Sequence, residues 1–187
     1  KYHIIMPELT ADSYGSEVFL AVNGMFAGYM VISDTIKSDA VSAIRKLKAL
    51  GLHSVMLTGD SQSGADAVAA ATGIDEVHAK LLPEGKLNEL GKIRNKYGAV
   101  MFVGDGINDA PVLAGADVGA AMGTGADAAI EAADVVFMTS STEAIPQSIN
   151  ISKATNRIAI QNVVFALAIK IAVMILGLTR HANMWMA

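Results

Sequence analysis

Residues Val100-Met101-Phe102-Val103-Gly104-Asp105-Gly106-Ile107-Asn108-Asp109-Ala110-Pro111 decide the fold. Four apolar residues, Val100 to Val103, run into a loop where two glycines flank Asp105, and a second carboxylate, Asp109, follows four residues later. A short apolar run bounded by glycine suits a central strand of a parallel sheet, and such sheets bind ligands beyond the carboxyl ends of their strands. Asp105 then stands at that edge. Gly104 and Gly106 admit the close approach of a phosphate, while Asp105 and Asp109 offer the hard oxygen ligands that Mg²⁺ prefers. The chemistry implied is phosphoryl transfer. A plain strand, glycine turn and helix start, with Asn108 or Asp109 as the cap, is the bland alternative.

Upstream, the same layout repeats. An apolar run from Ser54 to Leu57 leads into Thr58-Gly59-Asp60, and a helix opens at Ser61 and ends near Gly73. Thr58 is therefore expected at the carboxyl edge of the sheet, where its hydroxyl and the following N–H groups can hold a phosphoryl oxygen. Gly and Asp are also ordinary turn residues. Before it, Asp34-Thr35-Ile36-Lys37 leads into a helix capped by Ser38, with Val41, Ile44 and Leu47 on one face and Gly51 as its stop. After it, Pro83 suits the first position of a helix carrying Leu87, Leu90 and Ile93 on one side. Lys86 in that first turn opposes the helix dipole, so an anion such as a phosphate or phosphoaspartate is expected beside it, unless it is a solvated surface lysine. Downstream lie a strand Val118 to Met122, the turn Gly123-Thr124-Gly125, a short helix within Ala126 to Asp134 and a strand Val135 to Met138. Near the start, Val18 to Val22 and Met25 to Ile32 flank Asn23-Gly24, which predicts a hairpin with a type I′ turn.

Apolar residues make up 52% of the 187, aromatics only 5%, and Met contributes ten, which suits α/β layers plus a membrane element. The net charge of -4 and the absence of a basic cluster argue against nucleic acid as a partner. With no cysteine there are no disulfides or thiolate sites, in keeping with a reducing cytosolic face. Ile158 to Leu178 is a run of 21 residues interrupted only by Gln161, Asn162 and Lys170, long enough to cross a bilayer. Lys170 lies at least roughly 12 Å from either end of that run, beyond easy snorkelling, and a lysine so placed faces a bundle interior or transport path. An exposed lysine on a buried helix of a soluble protein is the competing reading. The first residue is Lys1 and the last residues stop inside an apolar run, so a piece of a longer polypeptide is expected.

Taken in order, Asp34-Thr35-Ile36-Lys37, Thr58-Gly59-Asp60, Leu82-Pro83-Glu84-Gly85-Lys86, Gly104 to Pro111 and Gly123 to Asp134 resemble the motifs of the heavy-metal P-type ATPases, the zinc, cadmium and lead exporters in particular. The resemblance implies a haloacid-dehalogenase-like, Rossmannoid α/β fold, a parallel sheet with helices on both faces, followed by a transmembrane helix. Residues 1-32 would close a nucleotide-binding domain, 33-149 would form the phosphorylation domain, and 150-187 the membrane helix with the start of the next. ATP and Mg²⁺ are the implied cofactors. Asp105 would bind Mg²⁺ with Asp109 in or beside its shell, Thr58 the phosphoryl group, and Lys86 would steady the phosphoaspartate, with Gly59, Asp60 and Asn108 completing the catalytic motifs. Asn162 and Lys170 have the spacing of zinc-type members, in which the lysine is a built-in counter-ion near the metal path rather than a ligand. The implied partners are a divalent heavy-metal ion, the lipid bilayer and the remainder of the pump, in a multi-pass cell-membrane protein whose phosphorylation domain is cytoplasmic.

This sequence departs from that pattern in lacking the Asp-Lys-Thr-Gly-Thr stretch whose aspartate is phosphorylated, the cysteine-containing membrane site and the aspartate of the last helix. The chain alone is therefore expected not to hydrolyse ATP. Two other readings stay open: a membrane-anchored phosphatase using Asp34, although Ile36 stands where such enzymes carry their general acid, and a non-catalytic regulatory piece.

Overall fold

The computed structural model describes residues 16–32, 35–123 and 126–178. The chain divides into two compact units, Lys1–Ala144 and Ile145–Ala187. In the first, β1 (Ser16–Val22) and β2 (Met25–Ile32) form an antiparallel hairpin. Its turn has φ of 53° at Asn23 and 80° at Gly24, and positive φ at both central residues is what a type I′ turn requires.

Four helices and four strands then alternate. They are α1 (Ala40–Ala49), β3 (Val55–Leu57), α2 (Gln62–Thr72), β4 (Glu76–His78), α3 (Pro83–Tyr97), β5 (Met101–Gly104) and, after the short helix α4 (Ala110–Gly115), β6 (Val118–Met122). A further short helix, α5 (Asp127–Ala132), leads to β7 (Val135–Phe137). Every pairing among β3 to β7 is parallel, as expected for crossovers that run through helices. The parallel strands form two sheets among the described residues rather than one: β3 pairs only with β4, and β5-β6-β7 form the other. Helix α3 ties them together. Its Lys96 and Tyr97 reach Glu76 at the start of β4, and its Arg94 bonds Asp117 and the Gly115 carbonyl beside β6.

The core lies along β6. Ala120 and Ala121 are fully buried, together with Val112 and Leu113 of α4, Ala129 of α5 and Leu90 of α3. Small residues on β6 let α4 approach so closely that a Cβ on Gly119 would collide with the Leu113 carbonyl oxygen.

Several expectations shift. Helix α1 begins at Ala40 with Asp39, not Ser38, at its N-cap, and its buried residue is Ala43, whereas Val41 is exposed. Leu87 sits at the rim of α3, 41% exposed, because only the Leu90 and Ile93 side of that helix faces the sheet. Helix α2 matches closely: Ser61 accepts a hydrogen bond from the Gly64 amide at 3.3 Å, and Gly73 closes it with φ of 82°. Asp34, Thr124, Gly125 and Arg180 lie outside the described residues.

The described part of the second unit is α6 (Ala144–Leu178), which begins one residue before it. Its 35 residues include a window of mean hydropathy 2.2 with none of it buried, the pattern of a helix able to cross a membrane rather than of a soluble core. At about 1.5 Å per residue it is roughly 50 Å long, more than the ~30 Å hydrocarbon core, so its more polar first turns, with Lys153 and Arg157, extend past that thickness.

Candidate active site

Beyond the carboxyl end of β3 the chain turns at Thr58-Gly59-Asp60. Thr58 Oγ1 donates to Asp60 Oδ2 at 2.7 Å and accepts from the Asp60 amide at 3.1 Å, which holds the hydroxyl in one orientation. This turn is laced to the loop after β4: the Thr58 amide donates to the His78 carbonyl, the Lys80 amide to Asp60 and the Leu81 amide to Thr58, at 3.0, 2.9 and 3.0 Å. A side chain at position 59 would press on the Leu81 carbonyl, its Cβ only 3.3 Å away, so glycine keeps the two loops in register.

The β4 loop runs into α3, and its first turn presents Lys86. Nζ of Lys86 donates to Asp109 Oδ1 at 2.7 Å in a pair whose side chains are only 17% and 13% exposed. Asp109 is thus one anion beside this lysine, supplied by the chain itself. The second oxygen of Asp109 accepts a long bond, 3.4 Å, from the Gly106 amide and packs against Gly104, where a Cβ would meet the Asp109 side chain at 2.9–3.1 Å. Glycine at 104 is what permits Asp109 to turn back onto its own strand.

Asp105 differs from Asp109. It is exposed at the end of β5, and its carboxylate makes no hydrogen bond or ion pair among the described residues. Its carbonyl accepts from the Ala126 amide at 2.9 Å, which anchors the loop before α5 to the Asp105 loop. Asn108 is exposed in the 3-10 turn Ile107–Asp109. Among the described residues no group of three His, Cys, Asp or Glu side chains could hold a metal. One free carboxylate beside a paired one is nevertheless a fitting donor set for Mg²⁺, which takes one or two carboxylates and completes its octahedron with water and phosphate oxygens.

The structure therefore links Thr58, Asp60, Lys86 and Asp109 in a continuous series of loops and contacts, with Asp105 in the same loop as Asp109. Asn162 and Lys170 belong to α6, eight residues or about two turns apart, near one face of that helix, and both are exposed on it. One set of polar residues was not anticipated from sequence: Asp39, Ser141 and Glu143, about a hundred positions apart in the chain and joined by hydrogen bonds. Separation of that size leaves no periodic or motif signal.

Residues 6–117 match the haloacid dehalogenase-like hydrolase family, and residues 86–149 match a second profile of that description. The chain is 49% identical over 182 residues to a zinc-transporting ATPase of Synechocystis sp. (strain ATCC 27184 / PCC 6803 / Kazusa), covering 95% of this chain and 25% of that protein. It is 46% identical over 181 residues to a cadmium, zinc and cobalt-transporting ATPase of Bacillus subtilis (strain 168), covering 94% and 26%. A crystal structure of a zinc-transporting PIB-type ATPase in its E2.Pi state superposes with a TM-score of 0.82 at 36% identity, over 91% of this chain and 28% of that one. The chain thus spans about a quarter of the length of the relatives it matches.

Proposed function

Because this chain belongs to the haloacid dehalogenase-like hydrolases, on the branch of the heavy-metal P-type ATPases, we propose that it is part of an ATP-driven pump exporting a divalent heavy-metal ion. The observation that supports this most directly is the Lys86–Asp109 pair at the loop that also carries the exposed Asp105, four residues before Asp109. A cation already held by one carboxylate is placed to meet a second anion. The ammonium has three donors and Asp109 takes one of them, so Lys86 can reach a phosphoryl oxygen without releasing Asp109. Thr58 needs only to rotate its hydroxyl proton from Asp60 to the phosphoryl group. Asp105, beside Asp109, would hold Mg²⁺, which when bound neutralises charge on the phosphoryl oxygens.

The phosphorylated aspartate comes from elsewhere in the parent protein. The split sheet supports this, since β3 and β5 each have an edge that no described strand pairs, and a strand bringing that aspartate between them would join the halves. Residues 1-32 belong to the nucleotide-binding domain in this reading, 33-149 to a cytoplasmic phosphorylation domain, and α6 to a multi-pass membrane domain. In that membrane domain Lys170 and Asn162 flank the path of zinc or a similar ion. The similarity to transporting ATPases across most of the chain favours this reading over a phosphatase built on Asp34.

The test uses the full-length parent in membranes. Zinc-stimulated transfer of phosphate from ATP to an acid-stable acyl phosphate is expected in the wild type and is expected to vanish in Asp105→Ala. Metal-stimulated turnover by the present chain alone, abolished by the same substitution, would overturn the assignment.

A further inference from the structure

Met138 to Glu143 connect β7 to α6, and this strap is held by three charged side chains at or near α1. Lys37 Nζ donates to the Ser140 carbonyl at 2.8 Å, and Lys46 pairs with Glu143 at 2.6 Å. Asp39 Oδ2 accepts from the Ser141 hydroxyl at 2.6 Å and from the Glu143 amide at 3.3 Å.

Asp39 is the telling residue. It occupies the N-cap position of α1, where an aspartate ordinarily accepts from the amides of its own helix, yet it makes no side-chain cap bond there. Its carboxylate serves the strap instead. These contacts span 97 to 104 positions of sequence, so closing them has an entropic cost that a strap with no conformational requirement would not need to meet. Lys46 is 55% exposed, and an ion pair of that kind contributes little by itself. The bonds to Asp39 are the specific part.

Resting on the pump reading, we propose that Asp39, seconded by Lys37 and Lys46, is a positioning clamp that keeps Met138 to Glu143 in one conformation. Events at the phosphate site are then passed along the chain into α6 rather than absorbed by the strap. A clamp of this kind has to persist at working pH. The Ser141 hydroxyl holds the Asp39 carboxyl down at about 2, so it remains a charged acceptor throughout the neutral range.

The experiment is run on the full-length parent in sealed vesicles, with acyl-phosphate level, metal moved per ATP hydrolysed, and hydrogen exchange of the strap amides all measured. In Asp39→Ala the Glu143 amide is expected to exchange faster, acyl phosphate to stay near wild type, and metal moved per ATP to fall about threefold or more. Ser141→Ala should shift both readouts in the same direction but less, and it serves if Asp39→Ala folds poorly. A purely structural role would lower the amount of folded pump and both rates together, leaving their ratio unchanged. Normal acyl phosphate with an unchanged ratio in both variants overturns the clamp alone. A wild-type parent that forms no acyl phosphate overturns the pump reading and takes the coupling role with it.

Discussion

In the proposed reading the Lys86–Asp109 pair both stabilises the fold and prepares a site. Each is largely removed from water, so neither can lose its partner without leaving a poorly solvated charge. Lys86→Met is expected to destabilise the chain by about 1–3 kcal/mol, read from urea unfolding, while Lys86→Met combined with Asp109→Leu recovers part of that loss. Full additivity of the two single changes would show that the pair is not coupled. Glu76 is a second residue with several partners: the Tyr97 hydroxyl, then Lys96, His78 and His53, hold its carboxyl well below its usual range, at about 2. A depressed carboxyl contributes stability that is complete above its unfolded value and is lost as pH falls towards the folded one. The unfolding midpoint is therefore expected to drop between about pH 4.5 and pH 2, and Glu76→Gln should flatten that part of the profile. An unchanged slope in Glu76→Gln would assign the acid sensitivity to other carboxylates.

At the level of the element, β6 and α4 depend on close approach more than on large side chains. Ala120 and Ala121 are completely buried, and Gly119 lies where the Leu113 backbone leaves no room for a methyl group. Since backbone cannot swing aside as a flexible side chain can, Gly119→Ala is expected to cost roughly 1–3 kcal/mol or more. Calorimetry showing a melting temperature within a degree of wild type would mean that α4 can slide on β6. Because α4 follows directly from the Asp109 turn, movement of that helix should also disturb the Lys86 pair. Helix α2 is the opposite case, since a serine at one end and a glycine at the other specify it locally, and it could be read from the sequence almost residue for residue.

On the scale of the whole molecule, the division of the parallel strands into two sheets is the dominant feature. β6 is paired on both edges, whereas β3 and β5 each leave one edge without a partner among the described residues. Restoring the segment of the parent that carries the phosphorylated aspartate is expected to slow amide exchange in β3 and β5 and to leave β6 nearly unchanged. Equal protection of β3 and β5 with and without that segment would remove the joining strand from the account. The exposed residues of the hairpin point in the same direction: Val18, Leu20, Val22, Met25 and Met30 are each about half exposed or more, which is characteristic of strands that lack their covering layer.

The sequence by itself determined the order and type of nearly every element, the turn at Asn23-Gly24, the apolar helix and the residues placed at strand ends. Each of these is a local matter of period, cap or turn chemistry, read over a few neighbouring positions. Only the tertiary structure decided that Asp109 pairs with Lys86, that Asp105 makes no hydrogen bond or ion pair among the described residues, that Asp39 serves a strap a hundred residues away and that the described parallel strands form two sheets. The physical reason is the same in each case. Which donor meets which acceptor, and which strand edge finds a partner, depends on groups distant in sequence that only the folded chain brings together.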